Sequence, residues 1–303
     1  MALKFQSQVL SDKKNSKMKK TLVLFACAIV LLFNSCSDTE DLVIVIQNQY
    51  LESIYGPAPT FTPIVNPVKN VFLEEFTGHL CGFCPPATAL ANQWNEDLGE
   101  RLVLMSVHAG TLAAAGTEPF EADYNTEVGS IYWGQLEGAF NPSARVNRVT
   151  GIGNAYPYAD WLEMINAELA EAPDAAMQMQ LSYVPSDGIL NIHTHTQFVN
   201  ELAGSYSLLL FVVESHVISP QEDYNQDPTE VMEYEHNHIL RDAITGAYGL
   251  PISSNPVAGS EVAKSFSYQL SSSWVADNCE VIAALVDNAT GEIINSVEAK
   301  IAE

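Results

Sequence analysis

The sequence predicts two unlike halves, an open α/β sheet followed by an all-β sandwich. Between Val71 and Pro173, short apolar runs alternate with stretches of helical spacing, the mark of strand–helix units. After Pro173 the apolar period drops to two, as in half-buried strands. At 303 residues with 47% apolar content, the chain is long enough for both halves to bury a core.

The elements follow in chain order. "VFLEEFT" from Val71 reads as a strand, and "PPATALANQWNEDLG" as a helix, with Ala87, Leu90, Ala91, Trp94 and Leu98 on one face and Gly99 closing it. "RLVLMSVHA" is a buried strand, "YNTEVGSIYWGQLEG" a helix, "SARVNRVT" a strand and "YADWLEMINAELAEA" a helix stopped by Pro173. In "MQMQLSYV", Met177, Met179, Leu181 and Tyr183 share one face, and Asp187-Gly188 turns the chain into "ILNIHTHTQFV". "SYSLLLFVVESHVI", "EVAKSFSYQL", "CEVIAALVD" and "EIINSVEAKI" complete a sandwich of immunoglobulin-like size. The predicted divisions are a signal segment over 1–35, a tether over 36–70, an α/β domain over 71–173 and the sandwich over 174–303.

The N-terminus carries "MKK", then the apolar "TLVLFACAIVLLF", then "NSC" ending at Cys36. Thirteen apolar-dominated residues are too few to span a bilayer but suit a signal peptide. A small residue before Cys36 resembles a bacterial lipobox, which implies diacylation of Cys36; the other reading is a plain signal peptide with Cys36 as a free thiol. Residues 37–70, with Pro57, Pro59, Pro63 and Pro67, would reach on the order of 30 Å as a coil, although "LVIVI" has strand composition.

The net charge is -24, and six of the 13 basic residues lie in the first 20 positions, so the remainder is more acidic still. Such a body repels phosphate backbones and anionic headgroups, which excludes nucleic acid as a partner and favours divalent cations or basic partners.

The chemistry concentrates in "EFTGHLCGFCPPAT", where Cys81 and Cys84 sit at a strand-to-helix junction. There, backbone N–H groups and the helix dipole stabilise a thiolate, and the two-residue gap lets the second sulfur attack a mixed disulfide formed by the first. Cys81 would be the nucleophile and Cys84 the resolving thiol. If Cys81 caps the helix, Pro85 and Pro86 delete its first bonds and the helix must start later. The competing readings are a disulfide that only pins a loop and a zinc half-site, and the latter lacks a second well-spaced pair of ligands.

"EEFTGHLCGFC" resembles the strand, active-site loop and first helix of the thioredoxin superfamily. The resemblance implies that Glu75 assists proton transfer at the resolving cysteine and that Pro142, in "AFNPSARVN", is a cis-proline shaping the substrate groove. Leu80 replaces the tryptophan usual before the first cysteine. The lipobox, "FTGHLCGFCPPAT", "NPSARVNR", "YEHNHILRDAITGAYGL" and a β-rich C-terminus together resemble the 28-kilodalton outer-membrane-protein-related lipoproteins of Bacteroidetes-type bacteria, over residues 36–303. That similarity implies an α/β thioredoxin-like domain followed by an all-β immunoglobulin-like sandwich, lipid-anchored at the outer membrane; no organic cofactor is implied by the reading as a whole, and no metal site is expected.

His79 is either a thiolate-stabilising imidazolium or an exposed loop residue, and His108 ends a strand near the same edge. His193 and His195 share a strand face with Asn191 and Gln197 that reads as solvent-exposed; with His236 and His238 they would form a metal site only if their strands met. "EDYNQDPTEVMEYE", residues 222–235, reads as a solvated acidic loop. Cys279 reads as a buried small hydrophobe. Two functions follow. One is thiol–disulfide exchange on exported protein thiols or disulfides, which calls for an accessible Cys81. The other is a surface binding or adhesion module, in which the α/β fold is a scaffold and the disulfide is buried.

Overall fold

The computed structural model describes residues 48–301; the signal segment, Cys36 and "LVIVI" lie outside them. In chain order the elements are α1 (Glu52–Tyr55), β1 (Val71–Thr77), α2 (Pro85–Leu98), β2 (Leu102–His108), α3 (Glu127–Gln135), β3 (Ser143–Val146), α4 (Tyr158–Leu169), β4 (Ala175–Val184), β5 (Ile189–Phe198), β6 (Ser205–Glu214), β7 (Val217–Glu222), β8 (Glu230–His236), β9 (Ile239–Ala243), β10 (Leu250–Ser254), β11 (Glu261–Gln269), β12 (Cys279–Asp287) and β13 (Ile293–Lys300).

One sheet runs through both halves in the order β13-β12-β6-β9-β2-β1-β3, with β10 pairing β6. β1 and β2 are parallel and wholly buried, as a strand pair joined by a crossover helix should be. β3 is antiparallel to β1, and β9 meets β2 through a single parallel pairing, Ser106 with Ile239. Three cores cover this sheet. α2 and α4 pack Ala87, Ala91, Trp161 and Ile165 on one side of β1 and β2. α3 lays Val128, Tyr132 and Leu136 on the other side, over a surface that continues from Phe72 and Met105 to Phe211 and Ile282. A second sheet, β11-β5-β4, faces β6 and β12 across Met177, Ile192, Phe198, Leu210, Val281 and Leu285. The C-terminal half is therefore two packed antiparallel layers, and the molecule is mostly β.

Several expectations are revised. Residues 48–70, expected as free tether, are tied down at both ends: Ser267 N–H donates to Asn48 O (3.1 Å) and Leu51 N–H to Ser267 Oγ (3.1 Å) on the second sheet, and Asn70 N–H donates to Asn295 Oδ1 (2.9 Å) on β13 of the first. Tyr50 packs edge-on against His193 and Phe61 stacks on His195, so the histidine face expected to be wet is buried. The segment "SYSLLLFVVESHVI" breaks into β6 and β7 at Ser215 and His216, because His216 adopts φ 58°. "SARVNRVT" is a strand only to Val146, because Asn147 and Arg148 take left-handed φ of 45° and 53°.

That left-handed turn folds Arg148 back beneath the sheet. Arg148 and Arg145 both bind the carboxylate of Glu74, which is wholly buried, and both guanidinium groups lie over the Tyr132 ring at 4.7 and 5.2 Å. Burial alone would raise the Glu74 pKa, but the two guanidinium charges outweigh it and hold the carboxyl below its ordinary range. Breaking such a group leaves buried charge uncompensated. Glu74→Gln should cost about 3–5 kcal/mol in urea unfolding, and a loss under about 1 kcal/mol would mean that the arginines are satisfied elsewhere.

Candidate active site

β1 delivers the chain into a tight turn, in which Cys84 N–H donates to Cys81 O (3.0 Å) and the two sulfurs form a disulfide. Helix α2 begins at Pro85 with Cys84 as its N-cap, and the N–H groups of Ala87 and Thr88 both donate to Cys84 O. The two prolines therefore sit at the first two helical positions, where the N–H groups they lack would have had no partner. The consequence corrects the expected arrangement: Cys84, rather than Cys81, stands at the helix N-terminus.

Cys81 and Cys84 are 3% and 1% exposed, so an accessible Cys81 is not what the folded chain presents. The cover is the β7–β8 hairpin, which includes most of the stretch expected as a solvated loop. Glu222 N–H donates to His79 O (2.8 Å) and Tyr224 N–H to Gly82 O (3.0 Å). The buried Gln221 amide donates to Gly78 O (3.3 Å) and Cys81 O (3.1 Å). Tyr224 lies flat over Gly82, where a β-carbon would meet its ring at 2.5 Å, and touches the exposed Phe83 edge-on. Gly82 is thus required for close approach, not for its dihedral freedom.

On β1, Glu75 is fully buried, with no cation paired to it among the described residues. Thr88 Oγ1 donates to its Oε1 (2.5 Å) and Ser106 Oγ to its Oε2 (3.2 Å). Burial pushes its pKa up to about 7 against these two hydrogen bonds. Thr88 connects the carboxyl to the dithiol turn, because its backbone N–H holds Cys84 O. Thr88 and Ser106 also line a cavity of about 10 Å³, together with His108, Gln221, Tyr234 and His236, room on the scale of a single water. The Asn141–Pro142 bond is cis, directly before β3.

His79, His108 and His236 come together around Tyr124, with ring centroids 5.2–5.5 Å from the tyrosine. All three are buried, and burial lowers their pKa values, that of His236 to about 4, so they are neutral near pH 7. His79 is therefore neither an imidazolium nor an exposed loop residue. The two H-x-H pairs do not meet: His193 and His195 lie on β5 in the second sheet, under Tyr50 and Phe61. Cys279 is buried with a free thiol, as expected. Sequence reasoning missed Gln221, Tyr224 and Tyr234. The alternation Met232-x-Tyr234-x-His236 was the available sign that a strand runs there.

Fold and site together define a mostly β protein in which a covered cystine closes a strand-to-helix junction. The sequence pattern of the family described as Outer membrane protein Omp28 matches residues 132–303, more than half of the chain. The chain belongs to this family, which places it at the outer membrane. The matched range starts within α3 and leaves Cys81 and Cys84 outside it. Among solved structures, HBP35 of Porphyromonas gingivalis is similar at TM-score 0.57 and 18% identity, over 78% of this chain and 77% of that one, which shows a shared fold. A domain of the outer membrane lipoprotein Omp28 from Porphyromonas gingivalis is found at TM-score 0.30 and 15% identity, over 43% of this chain and 89% of that one, too loose to weigh. No curated protein matches the chain. No helix among the described residues is long and apolar enough to cross a membrane.

Two outcomes are expected from this geometry. Removing the cover with Gln221→Ala plus Tyr224→Ala should speed reduction of the disulfide by dithiothreitol by roughly tenfold or more, since each lost contact is worth about 1 kcal/mol; equal rates would show that the hairpin does not limit access. The Glu75 pKa, raised from 4.5 to about 7, means that its contribution to stability is present in full below pH 4.5 and lost as pH rises through 7. Relative to the parent, Glu75→Gln should therefore gain stability between pH 5 and pH 8, by up to roughly 3 kcal/mol in chemical denaturation. A constant difference across that range would place the Glu75 pKa at its ordinary value.

Proposed function

We propose that the protein is a lipid-anchored outer-membrane thiol–disulfide exchange protein, held by a diacyl group on Cys36, whose cystine reacts when the β7–β8 hairpin moves aside. The observation that carries this reading is Glu75: a buried carboxyl without a cation, poised near neutrality and tied through Thr88 to Cys84. A loop staple has no need of such a group, which costs stability above neutral pH.

The chemistry balances as follows. A substrate thiolate attacks Cys81 Sγ, forming a mixed disulfide and breaking the Cys81–Cys84 bond, and Cys84 leaves as a thiolate that takes its proton from Glu75. The second substrate thiol, giving its proton back to Glu75, attacks the substrate sulfur of the mixed disulfide and releases Cys81, which takes up the proton lost by the first substrate thiol. The substrate dithiol is oxidised to a disulfide, and the Cys81–Cys84 pair is reduced to a dithiol. The reverse sequence reduces a substrate disulfide. Pro142 shapes the groove wall beside β3 in this reading, and the substrates are exported proteins.

The second reading is a binding or adhesion module in which the α/β half is an inert scaffold. It is favoured by the near-complete burial of both sulfurs. The reduction potential of the Cys81–Cys84 pair, from glutathione titration with alkylation and mass readout, separates the two. Exchange predicts a value between about -120 and -270 mV and mixed disulfides trapped by Cys84→Ser. A value below about -300 mV would make the cystine structural and leave recognition to the sandwich.

A further inference from the structure

On the far side of the β2–β9 junction, three side chains from separate parts of the sequence converge. His238 precedes β9, Glu280 is on β12 and Glu298 on β13. In the β12–β13 register Glu298 faces Ile282 and Glu280 faces Lys300, so the two carboxylates are diagonal neighbours on one face of the sheet. His238 Nδ1 lies 3.7 Å from Glu280 Oε2 and 3.9 Å from Glu298 Oε1, and the three atoms all fall within 4.8 Å of one another. Each is sealed from solvent, and none has a hydrogen-bond partner. Buried polar atoms are almost always paired, so three unpaired ones aimed at a common point call for an explanation.

We propose that His238, Glu280 and Glu298 bind a divalent transition-metal ion of the zinc, manganese or iron(II) class. Metal–ligand bonds of about 2.0–2.2 Å in tetrahedral geometry separate ligand atoms by roughly 3.3–3.5 Å, so the two gaps from His238 to the carboxylates close with a shift of a few tenths of an ångström. One imidazole with two carboxylates suits these ions better than calcium or magnesium, which prefer all-oxygen sites. Like charges placed this close need a cation or a proton between them. Among the described residues no lysine or arginine pairs with either carboxylate.

The backbone fixes the histidine. His238 takes left-handed φ of 55°, its N–H donates to Ser215 Oγ (3.0 Å) and its carbonyl accepts from Ser106 N–H (2.8 Å). A non-glycine residue held in that conformation at both ends is the kind of local strain that marks functional positions. The carboxylates border a groove of about 450 Å³, lined also by Gln178, Gln180 and Lys300. Because the three ligand atoms are themselves sealed, an ion entering from this groove requires the Glu280 and Glu298 side chains at its border to move. This site is independent of the exchange reading.

The test uses the full chain purified in detergent, stripped with EDTA and kept oxidised. Zn²⁺ titrated calorimetrically should bind once per chain, and Co²⁺ should give the visible absorption of a low-coordinate site. Glu280→Gln and Glu298→Gln should each weaken Zn²⁺ binding by roughly 100-fold or more, beyond the loss usual for residues that only orient ligands. Both remove like-charge repulsion and should melt, metal-free, no lower than the parent. His238→Gln provides a third variant should either fail to fold. The exposed pair His216 and Glu235 is a competing surface site, so His216→Ala should leave binding unchanged. Absence of Zn²⁺ binding to the parent overturns the proposal, as does binding that survives all three ligand variants or is lost in His216→Ala.

Discussion

The hydrogen bond from Ser106 N–H to His238 O is the hinge pin of the molecule. Without it the Ser106 N–H would be buried and unpaired on the outer edge of β2, beneath helices on both faces of the sheet, at the cost of a lost buried hydrogen bond. With it, the α/β layer and the sandwich share one sheet and one continuous core under α3. The same serine uses its hydroxyl on Glu75, and the same histidine turns its ring to Glu280 and Glu298. A single strand contact thus sets the positions of both chemically unusual clusters.

A chain this acidic buries carboxylates, and it resolves them in three distinct ways. Glu74 receives two guanidinium groups and stays charged, its pKa lowered despite burial. Glu75, its neighbour in sequence but on the opposite face of β1, receives only two hydroxyl donors and is held near neutrality. Glu280 and Glu298 receive one another and a neutral imidazole. Only the first arrangement is electrostatically closed. The other two pay desolvation without a compensating charge, which is what groups used for proton or cation transfer look like and what purely structural groups avoid.

Legibility in the sequence followed the range of the interaction. β1, α2 and β2 were readable because apolar periodicity and Gly99 act within a few residues. Helix α3 was placed but overestimated: Thr126 caps Gly129 N–H (2.9 Å) and starts it later than the apolar pattern suggested. The dithiol, Glu75 and the position of Pro142 came from a local motif. What failed was everything set by a distant partner. The acids of the 222–235 segment dominate its composition and suggest a solvated loop, yet exposed Glu230, Glu233 and Glu235 alternate with the less exposed Tyr234 and His236 that face inward. His193 and His195 read as wet because nothing in β5 reports that residues 50–61 will cover them. Glu280 and Glu298 carry no signal at all until the β12–β13 register brings them together.

Burial of the cystine and reactivity of the cystine are compatible once the cover is weighed. A two-stranded ribbon has little stability of its own, so β7–β8 is held mainly by what it touches. Against the dithiol turn it makes two backbone hydrogen bonds, one amide shared among several carbonyls and one aromatic contact. At about 1 kcal/mol for each hydrogen bond and a similar amount for the ring pair, opening costs about 4 kcal/mol, an open fraction on the order of one in a thousand. Ile218, Met232 and Tyr224 lie exposed on the hairpin, whereas His236 stays packed against His108 and Tyr124, so it is the tip over the dithiol turn, not the whole ribbon, that lifts at this cost. An incoming extended chain that offers its own N–H groups to the His79 and Gly82 carbonyls replaces what the hairpin gives up. In the exchange reading the cover would discriminate by backbone, admitting a partner that can pair as a strand and keeping small thiols waiting on the rare open state.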